Sequence, residues 1–165
     1  MRRRDYGFLV LVAVAAFAGC APTPPPQVAP GQFVVRAPFD SVWSAAVAYF
    51  RERQLTLDTV DRAHGRLTTR AITLSGADSA RWIECGKAKG LSGRLVSSEL
   101  LAVFKVHVTD YRDSVGLGVG VTADWIYAYT LPNLPSSPLL NIVKCASNGA
   151  FEAGLVERVS AQHIP

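Results

Sequence analysis

Three groups of residues in this 165-residue chain are of the types that chemistry uses. Asp58, Asp61 and His64 offer two carboxylates and an imidazole, the donors of a metal ion or of an acid–base pair. Closed by Gly65, the same residues are also what a polar turn is made of, and the turn is the expectation. The second group is the basic, glycine-rich run from Gly86 to Arg94, with Lys87, Lys89 and Arg94 as its cations. Its Gly-Lys is not followed by Ser or Thr and has no GxxxxGK spacing, so it is not a phosphate cradle. Gly90-Leu91-Ser92-Gly93 is one residue short of a nucleophile elbow. A mobile loop is expected here, with cations facing anionic headgroups as the competing reading. The third group is the cysteines, Cys20, Cys85 and Cys145; none belongs to a CxxC, and no His stands at ligand spacing from Cys85 or Cys145. With no Ser/His/Asp spacing, metal triad or paired carboxylates to name, no catalytic residue, metal or cofactor is expected, and the chain reads as a non-enzyme.

The cysteines make sense once the first segment is read. Met1–Cys20 is MRRRDYGFLVLVAVAAFAGC: a basic start, an apolar run from Phe8 to Ala18, and small residues before Cys20. That is the layout of a secretory signal peptide. A retained membrane helix is the alternative, but the run is shorter than the roughly 18–20 apolar residues of a span. Cys20 directly after Ala18-Gly19 resembles the lipobox of bacterial lipoproteins, with Phe17 where that family usually carries leucine. The resemblance implies cleavage after residue 19 and acylation of Cys20. Palmitate-type chains would then hold the protein at the membrane, since stable anchoring takes more than one chain. Ala21 in place of Asp implies the periplasmic face of the outer membrane by the sorting rule known for some lipoproteins. With Cys20 lipidated, Cys85 and Cys145 remain as an even pair in an oxidising compartment, and a disulfide is the expectation over two buried thiols.

Composition agrees with one folded domain. Hydrophobic residues make up 49% of the chain, too many for disorder. The formal charge of +4 includes three Arg and one Asp of residues 1–19, so the mature chain is close to balanced. Nucleic acid is therefore not an expected partner. Residues 20–31 carry five prolines and read as an extended spacer, leaving residues 32–165 for the domain.

Periodicity predicts the elements. Phe33–Val35 is an entering strand. Pro38 opens a helix in which Phe39, Val42, Trp43, Ala46, Val47 and Phe50 share one face. Trp43 is expected as a core anchor, with ligand contact as the alternative. Leu55–Val60 and Arg66–Thr73 form a hairpin, Ser75–Ala80 a loop, and Trp82–Cys85 a short strand. Glu99–Val108 and Val115–Tyr129 are the long strands. In the second, Gly116, Gly118 and Gly120 strip one face of side chains, for close helix packing, sheet curvature or a ligand. Leu131–Ile142, with three prolines, is expected to cross the surface without regular structure. Ser147 then caps a closing helix with Phe151, Leu155, Val156 and Val159 inward and Glu152, Glu157 and Arg158 outward. The sum is an α+β fold: an antiparallel sheet of about five to six strands with two helices on one face.

The proline-rich lead followed by strand, helix and hairpin, with Ala37-Pro-Phe-Asp-Ser-Val-Trp43 and His64-Gly-Arg-Leu-Thr-Thr69, resembles the helix-grip domains of BamC-like lipoproteins over roughly Phe33 to Thr73. The resemblance implies a helix lying across an antiparallel sheet. Fold likeness does not assign function. The leading expectation is a membrane-anchored envelope lipoprotein that interacts with other envelope proteins. The alternative is a lipid or small hydrophobic ligand held between the Phe39–Phe50 helix and the glycine stripe.

Overall fold

The computed structural model describes residues 31–86, 93–111, 114–133 and 137–161. Cys20, Lys87 and Lys89, together with the signal segment and most of the proline-rich spacer, lie outside the described residues. Eight strands form one wholly antiparallel sheet, and three helices cover one of its faces. The α+β class is as expected; strand and helix counts both exceed the five to six and two anticipated.

Two long strands carry the sheet. β6 (Arg94–Tyr111) and β7 (Ser114–Thr130) pair along nearly their whole length, from Arg94↔Thr130 to Tyr111↔Ser114. Alternation decides which face each side chain takes. Ala102, Phe104, Val106 and Val108 on β6, with Val115, Leu117, Val119 and Val121 on β7, are all buried. β1 (Gly31–Val35) pairs with the first part of β7, and β8 (Leu139–Ser147) with its second part. Leu139–Ile142 is thus strand rather than irregular crossing. Past Pro138 nothing blocks the ladder, and pairing with β7 draws these residues into register.

On the other side of β6, the hairpin arm splits. β2 (Leu57–Asp61) pairs with β3 (Arg66–Thr69), and β3 and β4 (Ile72–Leu74) each pair with a separate part of β6. The break leaves the Phe104 N–H without a ladder partner, and it donates to Thr69 Oγ1 at 3.1 Å. Thr69 is buried for this reason, since a buried donor needs an acceptor.

α1 (Phe39–Glu52) starts behind Pro38 as expected and ends in a paired turn: Gln54 N–H donates to Arg51 O and Leu55 N–H to Phe50 O. Gln54 takes φ 57° to make it. This is a Schellman ending with a glutamine where glycine is usual. Its buried face also takes in Ala45 and Tyr49, because α3 (Ala150–Ala161) packs along its flank. Arg158 of α3 bridges to Glu52 at 2.8 Å.

α2 (Gly76–Trp82) replaces the expected loop. Ser75 caps it by accepting from Asp78 N, and Trp82 sets its indole against Phe104 and Phe151. One buried tryptophan is enough to dock a two-turn helix whose other residues are polar or small. β5 (Ile83–Glu84) follows and pairs with the end of β8, which brings Cys85 beside Cys145. Those two cysteines form a disulfide.

The closing helix starts later than expected. Ser147 ends β8, and the Asn148 side chain accepts from Ala150 N–H instead. Glu152 faces inward, not outward: it is buried and accepts from Ser147 Oγ at 2.8 Å. The satisfied hydrogen bond is what makes that burial tolerable.

Candidate functional site

The helices and the glycine stripe take opposite faces of the sheet. α1 and α3 meet the Val115–Val121 set, and the space between them is filled by core side chains. The expected cleft between the Phe39–Phe50 helix and the glycines therefore does not form. Trp43 belongs to that core, stacked on Phe39 with ring centres 6.0 Å apart.

Antiparallel register lines up the helix-free face in rows. Arg66, His107, Gly118 and Gln32 lie side by side across β3, β6, β7 and β1. The next row is Thr68, Lys105 and Gly120, and the one beyond holds Val103 and Thr122. Because Gly118 and Gly120 carry no side chains, the middle of the face is low and its flanks are raised by Arg66, Lys105 and His107. The result is an open groove of about 850 Å³, lined also by Gln32, His64 and Thr122. Its floor is free: a Cβ on Gly118 would come no nearer than 3.7 Å to any atom.

Gly116 has a different use. A Cβ there would lie 2.7 Å from the ring of Tyr111, which covers this glycine and takes it out of the groove. Of the three glycines read as one stripe, two floor the groove and one accommodates a tyrosine.

One end of the groove is a gap in the ladder. β1 leaves β7 at Val119 and β8 joins it at Thr122, so no described strand pairs with Gly120 and Val121 on that edge. Ser147 and Glu152 line the groove at this gap. Neither residue has a sequence signature for such a position. Both sit there because β8 ends and α3 begins at that point.

The other end is the β2–β3 turn. His64 N–H and its imidazole Nδ1 meet the Asp61 carboxylate at 3.2 and 2.8 Å, and Arg66 approaches at 3.4 Å. Desolvation acts to raise the Asp61 pKa, but the hydrogen bonds from His64 and the charges of His64 and Arg66 outweigh it and hold the carboxyl below its usual value. Asp58 turns away to pair with Arg70 at 2.6 Å. The three residues that read as a metal or acid–base set therefore divide between two ion pairs. Among the described residues no group of three or more His, Cys, Asp or Glu side chains converges as a metal site.

Lys105 makes no ion pair among the described residues and is exposed at the groove wall. Arg94 lies elsewhere, at the start of β6 opposite Thr130. No family model matches the chain, and comparison with curated proteins finds no match.

Proposed function

We propose that this protein is a non-enzymatic, lipid-anchored envelope lipoprotein of the outer membrane that holds an extended, acidic segment of a partner protein in the glycine-floored groove. The carrying observation is the floor itself. Gly118 and Gly120 let a partner's backbone come down onto the sheet between raised side chains, as glycines in strands do where another backbone approaches closely. The wall residues supply the selectivity: Lys105, with no ion pair among the described residues, favours a carboxylate, while His107, Thr68, Thr122 and Gln32 offer hydrogen bonds.

The anchor part of the reading rests on Met1–Cys20, with the Cys85–Cys145 disulfide as support, since such bridges persist in oxidising compartments. β1 leading into α1 across an antiparallel sheet likewise supports the likeness to helix-grip domains.

Site-specific photocrosslinking in intact envelopes tests the function. A benzophenone amino acid at Thr68 is expected to capture a defined protein, whereas the same group at exposed Val60, on the neighbouring strand β2, captures none. Gly118→Ala raises the floor at ordinary van der Waals distance, its Cβ 3.7 Å from the nearest atom, and Lys105→Glu reverses the wall charge; each is expected to weaken the capture while leaving the thermal midpoint in place. Persistent absence of a protein crosslink, with a small molecule retained in native mass spectrometry, would transfer the groove to a small ligand.

A further inference from the structure

Beyond its body the sheet continues as a three-stranded arm of residues 94–99, 125–130 and 139–143 that no described helix covers. Tyr127 is buried within it, but four of its apolar residues are on the surface: Leu95 is 51% exposed, Val96 57%, Leu140 69% and Ile142 53%. They occupy both faces, because register puts Ile126, Leu140 and Ile142 on one side and Leu95, Tyr129 and Leu139 on the other. Tyr127 and Tyr129 pack as neighbours, ring centres 6.0 Å apart. Over 94–99, 125–130 and 139–143 the charged residues are Arg94 at the tip and Glu99 at the base. A patch of this kind on a soluble domain marks an interaction surface.

The chain itself indicates what covers it. β1 runs antiparallel to β7, with Val35 opposite Val115 and Gly31 opposite Val119. Gly31, the first described residue, therefore stands at the end of β1 toward which β7 rises to Thr130, the side of the arm. Cys20 is eleven residues before Gly31, and an extended proline-rich chain spans about 3.1 Å per residue, or roughly 34 Å. The step from Val119 to Thr130 is also eleven residues, at about 3.3 Å per residue or roughly 36 Å of strand. A fully extended lead thus reaches the level of the arm's tip.

We infer that the arm rests on the lipid surface, its tip at the headgroup–acyl boundary beside the acylated Cys20. This rests on the lipid-anchored reading of the N-terminus. Tyr129, partly exposed and level with Leu95 and Leu139, suits the boundary, where one end of the ring is wet and the other apolar. Arg94 adds attraction to anionic headgroups. The arm does not enter the hydrocarbon: the outer edges of β6 at 94–99 and of β8 at 139–143 have no described strand beside them, and unpaired backbone groups are not tolerated there. So placed, the arm holds the groove off the bilayer, eight or more residues along β7 from Thr130.

Tryptophan quenching tests this in the acylated, full mature protein reconstituted in vesicles of phosphatidylethanolamine and phosphatidylglycerol. Leu140→Trp adds an emitter at the exposed tip, and Val60→Trp adds one on β2. Native Trp43 and Trp82 are buried and set the baseline with Trp125. Lipids brominated near the headgroup end of the chain are expected to quench the Leu140→Trp emission, lipids brominated deep in the chain to quench it less, and neither to affect Val60→Trp. Vesicles that float with bound protein but leave Leu140→Trp unquenched overturn the arm's placement and spare the anchor. Crosslinking of position 140 to a second copy or another protein, without quenching, overturns it in favour of strand pairing. Protein that carries no palmitate and does not float overturns the anchor, and the arm's placement with it.

Discussion

The Tyr49 hydroxyl of α1 donates a buried hydrogen bond to the Phe151 carbonyl of α3 at 2.9 Å, and residue 154 must be small for it to do so. A Cβ on Gly154 would stand 2.4 Å from that hydroxyl. The rings of Tyr49 and Phe151 meet edge to face at 5.2 Å, and Arg53 lies 3.4 Å above the Tyr49 ring. This is the joint between the two long helices. A glycine in the middle of a helix, normally unfavourable by about 1 kcal/mol against alanine, is there for the neighbour's oxygen.

Gly154→Ala is therefore expected to destabilise the protein, by about 1–3 kcal/mol if the displaced hydroxyl leaves the Phe151 bond. In a Tyr49→Phe background the oxygen is gone and the nearest remaining ring atom, Cζ, stands 3.3 Å from that Cβ, so the same substitution should cost markedly less. Chemical denaturation of the four variants reads this coupling directly.

Tyr49 also makes a pH prediction. Burial raises its pKa above 10.0 against the lowering charges of Arg53 and Arg81, with Glu152 adding to the rise. The folded state then holds the phenolic proton more tightly than the unfolded chain. Its contribution is complete below pH about 10 and is lost as pH rises through the folded value. Stability of the wild type should fall more steeply than that of Tyr49→Phe above pH 10, as measured by urea midpoints across the alkaline range.

Gly65 closes the β2–β3 turn at φ 62°, and its carbonyl accepts from Val108 N–H at 2.7 Å. A Cβ there would lie 1.9 Å from the Val108 carbonyl oxygen, so strain and collision act together. Gly65→Ala should cost more than about 2 kcal/mol. Because the turn holds His64 and Arg66 at the end of the groove, it should also reduce crosslinking from Thr68.

Gln54→Gly is expected to do the opposite. Gln54 holds the left-handed position of the α1 ending at φ 57°, where an L side chain costs roughly 1 kcal/mol. Glycine removes that cost, less its larger backbone entropy, for a net gain of about 0.5 kcal/mol. A small rise in thermal midpoint with unchanged far-ultraviolet dichroism is the readout.

Reducing the Cys85–Cys145 bridge releases a loop of 60 residues that contains all of β6 and β7. The chain-entropy model puts that at about 4 kcal/mol. Cys85→Ser with Cys145→Ser should lower the denaturation midpoint accordingly, and dithiothreitol should shift the wild type but not the double variant.

Much of the framework was legible from local pattern alone. The α1 face repeats at 3.6 residues from Phe39 to Phe50, and the buried residues of β6 and β7 alternate as read, because period and burial coincide wherever a single face meets one core. The elements that were missed are those that tertiary contact creates. α2 has one buried anchor, Trp82, and too few residues to show a period. β8 begins one residue past Pro138, where proline density hides a run that the Trp125–Tyr129 edge pairs. Glu152 reads as a surface residue until Ser147 is brought to it.

The chain by itself determined the α1 helix, the alternation of the long strands and the presence of glycines on one side of β7, and it carries the Met1–Cys20 pattern on which the proposed anchor rests. These follow from composition, spacing and the two backbone periods, which need no partner to be read. Tertiary structure alone decided which face those glycines would serve. The helices settled on the valine side because that side had apolar area to bury, which left Gly118 and Gly120 open beneath Lys105 and His107. The same step covered Gly116 with Tyr111, turned Asp58 away from Asp61, and set the arm at the end of β7 toward which Gly31 of β1 stands. Those outcomes depend on register between strands far apart in sequence, and no local pattern encodes it.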